Sequence, residues 1–247
     1  MTETPEFIGH RGARFEAPEN TLPGFRYAIG IGIHAIEFDV RMTADHELVI
    51  IHDESVDRTT NGTGLISQLS VAEIQSLDAR SIFPDWPEIC IVPTLDQVLD
   101  TVASVPDLII EIKKDTPVRL ERIISGVIEK VEARGLTDQV TITSFDPVAI
   151  GIVHRLRPAI RHGYIGNWDD PAFIDTSIEL GCTQVDAHIP TADPTLVRQG
   201  KERGWRVVVW PCNSPDELER ALALQPDLIC TDRPTEMRAL HGALKGA

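Results

Sequence analysis

The sequence predicts an α/β fold, a (β/α)8 TIM barrel, on three observations. Apolar runs of strand length alternate with longer segments of helical periodicity almost throughout. Eight such runs occur in a repeating strand–helix order, which favours a closed parallel barrel over a doubly wound sheet. The length, 247 residues, suits such a barrel as a single domain spanning 1–247.

The first strand is expected at Phe7-Ile8-Gly9 and closes on His10-Arg11-Gly12. Pro18-Glu19-Asn20-Thr21 then reads as a helix start with Asn20 as cap. The second strand, Ala35 to Val40, alternates Glu37 and Asp39 onto one face. A long insertion follows between the second and third barrel strands, from about 41 to 106. It holds the run Leu48-Val49-Ile50-Ile51 ending in His52-Asp53, a polar turn at Thr59 to Gly64, and two short helical patterns. Insertions in βα loops sit on the catalytic face and shape the pocket. The third barrel strand, Leu108 to Ile112, carries Glu111, with Lys113 on the same face. Leu120, Ile123, Ile124, Val127, Ile128 and Val131 mark a helix that stops at Gly135. Strands are then expected at Val140–Thr143, His162–Ile165, Gln184–Ala187, Arg206–Trp210 and Asp227–Cys230. Asp146-Pro147 and Ser214-Pro215 have the form of an N-cap before an N1 proline, and Gly181 and Gly204 mark helix stops. The chain shows no linker, low-complexity tract or further repeat.

Composition narrows the function. Hydrophobic residues make up 42% and charged residues 25%, as in ordinary globular proteins, and the formal net charge is -15. Such a surface repels nucleic acid and anionic membrane, so neither is expected as a partner. No apolar run approaches the ~20 residues needed to span a bilayer. No basic and apolar leader precedes the first strand, so the expected location is the cytoplasm. Cys90, Cys182, Cys212 and Cys230 lack zinc-ligand spacing and suit buried free thiols in a reducing compartment. Homo-oligomerisation stays open.

The chemistry is expected where barrel strands end. Glu37, Asp39 and Glu111 offer only oxygen ligands, which suit a hard divalent cation, Mg²⁺ or Ca²⁺, with Mn²⁺ also able to fit. Three acids facing one interior repel each other and lose hydration, which favours a bound cation over mere ion pairing. His10 and His52 titrate near neutrality and can exchange roles as general acid and base. Arg11 and Lys113 can neutralise a phosphate. Trp210 suits a pocket wall, with core packing the alternative. His188 is expected at the barrel mouth, and His154, His162 and His241 at the surface. Asp232 is expected to structure a loop, while Glu19 and Asn20 lie near enough to His10 to help orient the site.

Taken in order, these segments resemble the glycerophosphodiester phosphodiesterase family, and most closely its compact cytosolic bacterial members. The matching stretches are His10-Arg11-Gly12, Ala17 to Thr21, Ile36 to Val40, His52-Asp53, Asp57 to Gly64, Pro93-Thr94-Leu95, Ile110 to Lys113, Thr143-Ser144-Phe145 and Thr231 to Pro234. The resemblance runs nearly end to end. It implies a barrel with a small insertion, one divalent metal, and hydrolysis of a small-molecule glycerophosphodiester to an alcohol and glycerol 3-phosphate. It implies His10 and His52 as the acid/base pair, Glu37, Asp39 and Glu111 as metal ligands, and Arg11 and Lys113 on the phosphate. It also implies attack by the glycerol 2-hydroxyl through a cyclic phosphate. Two segments depart from the family pattern and are expected to alter pocket shape. Trp210-Pro211-Cys212-Asn213 replaces Trp-Thr-Val-Asn, and Asp45-His46 replaces an Asp-Gly turn. The competing readings are a lysophospholipase D-like or sphingomyelinase D-like phosphodiesterase and a non-catalytic phosphodiester- or metal-binding protein. A lipid substrate would need an exposed apolar entrance, for which Phe83, Trp86 and Ile89 are the candidates within the insertion.

Overall fold

The computed structural model describes residues 5–245. Along the chain run β1 (Glu6–Gly9), α1 (Leu22–Gly30), β2 (Ala35–Met42), β3 (Leu48–Ile50), a 3-10 turn (Ile66–Gln68) and α2 (Val71–Gln75). Then come α3 (Leu95–Val102), β4 (Asp107–Ile112), α4 (Pro117–Ala133), β5 (Val140–Ser144), α5 (Pro147–Leu156) and β6 (Arg161–Gly166). The chain ends with α6 (Phe173–Glu179), β7 (Gln184–His188), α7 (Pro194–Glu202), β8 (Arg206–Trp210), α8 (Pro215–Leu224), β9 (Leu228–Thr231) and α9 (Pro234–Lys245). Residues 1–4, the greater part of the acidic lead-in to the first strand, lie outside the described residues.

Eight of the strands are parallel and close on themselves, because β1 pairs with both β2 and β9. The predicted barrel is therefore present. Parallel neighbours need a crossover, and the helices supply it. Alternation along each strand divides two buried layers. Ile36, Phe38 and Val40 face outward into a core shared with α3, α4 and α5, while Glu37 and Asp39 face the interior. The lower interior is filled by Ile8, Ala35, Ile109, Val208, Leu228 and Cys230. All six apolar positions read on α4 are buried, each contributing about 1.5–3 kcal/mol if fully removed from water.

Between β2 and α3, β3 pairs antiparallel with β2 and aligns Val40 with Ile50. This segment has its own small core, including Val49, Ile51, Val56, Ile66, Ile74 and Val92. Capping boxes begin both following helices, Ser70 with Glu73 on α2 and Thr94 with Gln97 on α3. Asp146 and Ser214 cap α5 and α8 ahead of a proline, as read from sequence.

Three expectations are corrected. The cap of α1 is Thr21, whose side chain accepts from the Gly24 N–H. Asn20 instead takes a left-handed backbone, φ 54°, which frees its amide for another partner. His162 is buried, facing the helices rather than the solvent, with its ring nitrogens 2.7 Å from the Ile160 carbonyl and 3.2 Å from that of Leu180. His241 is also buried and packs edge-on against Phe7. Among the described residues no helix is long and apolar enough to cross a membrane.

Candidate active site

A cavity of about 360 Å³ opens at the carboxyl ends of the barrel strands. It brings His10, Arg11, Glu37, His52, Glu111, Lys113 and Trp210 to one lining, with Asp39 fully buried next to Glu111. The barrel register accounts for this. Asp39 on β2 is the partner of Glu111 on β4, and their neighbours Glu37 and Lys113 share that inward face.

Glu37, Asp39 and Glu111 are buried, and one ligand oxygen from each lies within 4.8 Å of the others. Asp39 has a cation beside each oxygen: Oδ2 accepts from Asn20 Nδ2 at 2.7 Å and lies 3.2 Å from Arg11 Nε. Its Oδ1 lies 2.7 Å from Lys113 Nζ, which also donates to Glu111 Oε1 at 2.5 Å. Glu37 differs. Its Oε2 accepts the Arg11 backbone N–H at 3.0 Å, while Oε1 is buried with no partner. Arg11 reaches this geometry through a left-handed backbone, φ 51°, that turns its N–H onto Glu37.

The electrostatics follow from this pairing. Burial raises all three acids, but beside Asp39 the ammonium of Lys113 and guanidinium of Arg11 outweigh it, holding Asp39 well below the usual carboxylate range. Burial, with Asp39 and Glu111 alongside, pushes Glu37 well above that range. Glu111 is raised by burial, which Lys113 only partly offsets. With all three acids ionised, the two nearby cations would leave the cluster one positive charge short. An all-oxygen donor set, an orphaned carboxylate oxygen and that missing charge fit a hard divalent ion.

The two histidines have parallel supports. His10 Nδ1 lies 2.5 Å from Asp232 Oδ1, and its Nε2 is turned toward Glu37 at 3.8 Å. His52 Nδ1 lies 2.6 Å from Asp53 Oδ1. A carboxylate on Nδ1 selects the tautomer that leaves Nε2 free to accept a proton. Burial depresses His10 despite its bond to Asp232, and burial brings His52 down to about 4 despite the pull of Asp39. Arg58 holds Asp53 through Nε at 2.6 Å and grips Glu19 with its terminal nitrogens at 2.7 and 2.9 Å. Glu19 also accepts from Arg11 at 3.0 Å, so one carboxylate ties the β1 loop to the support of His52.

Sequence reasoning missed some of this. Asp232 bonds directly to His10 and is held by Asn213, which donates Nδ2 to Oδ2 at 2.8 Å and accepts the Asp232 N–H at 2.8 Å. The signal was available, since Asp232 ends an apolar strand as His10 does. Arg58 gave none, because its partners lie 39 and 5 residues away. Trp210 packs edge-on against Phe145 and lies 5.0 Å from the ring of His188, which stands behind it and does not itself line the cavity. The apolar rim is formed by Phe15 and Phe145, 45% and 48% exposed. Phe83, Trp86 and Ile89 do not line the cavity, and neither do Asp45 and His46, so that turn leaves the pocket unaltered. Trp210, Pro211 and Asn213 all line the cavity.

The model of the glycerophosphoryl diester phosphodiesterase family matches residues 10–236. A glycerophosphodiester phosphodiesterase of Caldanaerobacter subterraneus is 30% identical over 228 residues, covering 92% of this chain and 93% of that protein. A phosphodiesterase from Oleispira antarctica, solved in complex with the product sn-glycerol-3-phosphate, superposes with a TM-score of 0.89 at 27% identity, covering 96% of this chain and 97% of that one. A putative glycerophosphoryl diester phosphodiesterase from Silicibacter pomeroyi gives a TM-score of 0.89 at 25% identity, covering 98% and 94%.

Proposed function

The chain belongs to the glycerophosphoryl diester phosphodiesterase family, and from that premise we propose that it hydrolyses glycerophosphodiesters to an alcohol and sn-glycerol 3-phosphate. The observation that carries the reading is the meeting of two carboxylate-supported histidines, three buried acids and two cations in one cavity. Glu37, Asp39 and Glu111 hold one divalent cation, Mg²⁺ or Ca²⁺. Such an ion would neutralise phosphate charge and lower the pKa of the adjacent glycerol hydroxyl.

The protein's own groups do the rest. Arg11 and Lys113 face the phosphate and stabilise its developing charge. One histidine removes the proton of the glycerol 2-hydroxyl through Nε2 as that oxygen attacks phosphorus. The other gives a proton to the departing alkoxide. A cyclic phosphate results, and water opens it with the two roles reversed. Both histidines are held neutral by burial, which suits the base; the anionic substrate favours the imidazolium that the acid needs. The four cysteines, buried and unpaired, suit the reducing cytoplasm in which we place the reaction.

The test is turnover of a panel of glycerophosphodiesters after chelation, with each metal restored in turn. Activity should vanish with chelator and return with Mg²⁺, Ca²⁺ or Mn²⁺. A substrate lacking the 2-hydroxyl should bind but scarcely react, because a positioned nucleophile is worth several kcal/mol and its loss falls mainly on kcat. Full turnover of the metal-free enzyme, or brisk turnover of the 2-deoxy substrate, would defeat the corresponding part of the reading. The exposed Phe15 and Phe145 favour a second substrate class, lysophospholipids, and choline release from lysophosphatidylcholine tests it.

A further inference from the structure

Beside the three acids the cavity extends across the barrel over Ile8, Ile109 and Val208. Two polar side chains line this depth that neither hold phosphate nor support a histidine: Thr143 of β5 and Asp186 of β7. Thr143 is in register with Glu111, so it lies beside the acid cluster. Its Oγ1 is buried with no hydrogen-bond partner. Asp186 is in register with Val208, one inward position deeper than the pair His188 and Trp210. Its Oδ1 accepts from Gln184 Nε2 at 2.8 Å, and among the described residues no donor meets Oδ2. On the intervening strand Gly163, the partner of Thr143, adds no side chain, and Ile165, the partner of Asp186, lines the same cavity.

An unpartnered hydroxyl and a half-partnered carboxyl in an otherwise apolar recess call for a ligand that both donates and accepts. An anion is disfavoured, because Glu37, Glu111 and Asp186 share this lining. Burial pushes the Asp186 carboxyl up to about 7, so near neutrality it carries a proton for much of the time and attracts a cation weakly. A neutral hydroxyl remains. With the phosphate held at Arg11 and Lys113, the part of the substrate able to reach downward is the end of its glycerol half.

We propose that Thr143 and Asp186 form a hydroxyl-binding floor that receives the terminal hydroxyl of the substrate's glycerol half and so selects glycerol over shorter-functionalised alcohols. The inference rests on the phosphodiesterase reading above. It assigns these two residues to specificity and leaves proton transfer to the histidines.

The test compares two phosphodiesters with the same leaving alcohol, one of glycerol and one of propane-1,2-diol, which keeps the attacking hydroxyl and lacks the terminal one. The unaltered enzyme should prefer glycerol by about tenfold or more in kcat/KM, since a site built around a hydroxyl rejects the analogue without it. Thr143→Val and Asp186→Leu should each lose activity on the glycerol ester and narrow the gap to about threefold or less. Asp186→Asn, which keeps a polar head at that position, should retain most of the preference. Thr143→Val removes a hydroxyl that bonds nothing in the protein, so its fold should survive even if the Asp186→Leu protein does not. Equal use of both esters by the unaltered enzyme, or a full preference surviving in Thr143→Val, overturns the floor alone. Failure to turn over either ester overturns the phosphodiesterase reading together with it.

Discussion

At the scale of single residues, the site's behaviour is governed by what each buried group can reach. His10 and His52 are alike in having a carboxylate on Nδ1 and an open Nε2. General acid–base catalysis is worth about 10²–10⁴-fold, so His10→Ala and His52→Ala should each lower kcat by that order. Rate measurements across pH should give a bell, one limb for the base and one for the acid; a variant with near-normal kcat would remove its histidine from the mechanism. His52 also leaves a mark on stability. Its pKa falls from 6.5 to about 4 on folding, so its contribution is complete above 6.5 and is lost as pH drops toward 4. Melting curves over that window should show a shallower loss in His52→Gln.

At the scale of elements, the insertion is attached to the barrel through its charges as well as its small core. Arg58 joins Asp53, which supports His52, to Glu19 on the loop before α1. Removing it leaves Glu19 buried with Arg11 as its close cation and releases Asp53. Arg58→Ala should therefore cost about 1–3 kcal/mol of stability, toward the low end because the guanidinium is partly exposed, and should lower kcat through a misplaced His52. Arg58→Lys should recover little, since an ammonium cannot span both carboxylates as the fork does. Melting temperature and kcat measured together check this; unchanged kcat in Arg58→Ala would show that His52 is positioned without the clamp. The same scale explains the shifted cap of α1. Thr21 takes the capping role, and Asn20 is thereby released to bind Asp39.

At the scale of the whole molecule, barrel closure turns sequence distance into contact. His10 and Asp232 are 222 positions apart and share a hydrogen bond because β1 pairs with β9. The closed interior also concentrates charge. Glu37 and Glu111 keep their protons in the folded metal-free protein at pH values where the unfolded chain, near 4.5, has lost them. Their contribution therefore opposes folding increasingly as pH rises through that range, while Asp39, held low by Lys113 and Arg11, acts in the opposite sense at lower pH. A divalent ion held by the three acids would replace those protons, so the rise in Tm on adding Mg²⁺ or Ca²⁺ should grow between about pH 5 and about pH 8. Thermal melts with and without chelator measure it, and a metal effect that is absent or independent of pH would sink the assignment of the three acids.

The sequence by itself determined the barrel, because strand alternation and helix periodicity are local properties repeated eight times, each marked by its own caps and stops. It determined which polar groups stand together at the strand ends as well. Residues two apart on one strand must share a face, so Glu37 with Asp39 and Glu111 with Lys113 were legible without coordinates. The tertiary structure alone decided which groups hold others in place. Asp232 on His10, the Arg58 clamp, and the presence of Thr143 and Asp186 in one cavity depend on closure and on register between distant strands. Burial decided the rest: His162 reads as an ordinary polar residue until the helices cover it, and Glu37 rises well above the usual carboxylate range only when the interior strips it of water.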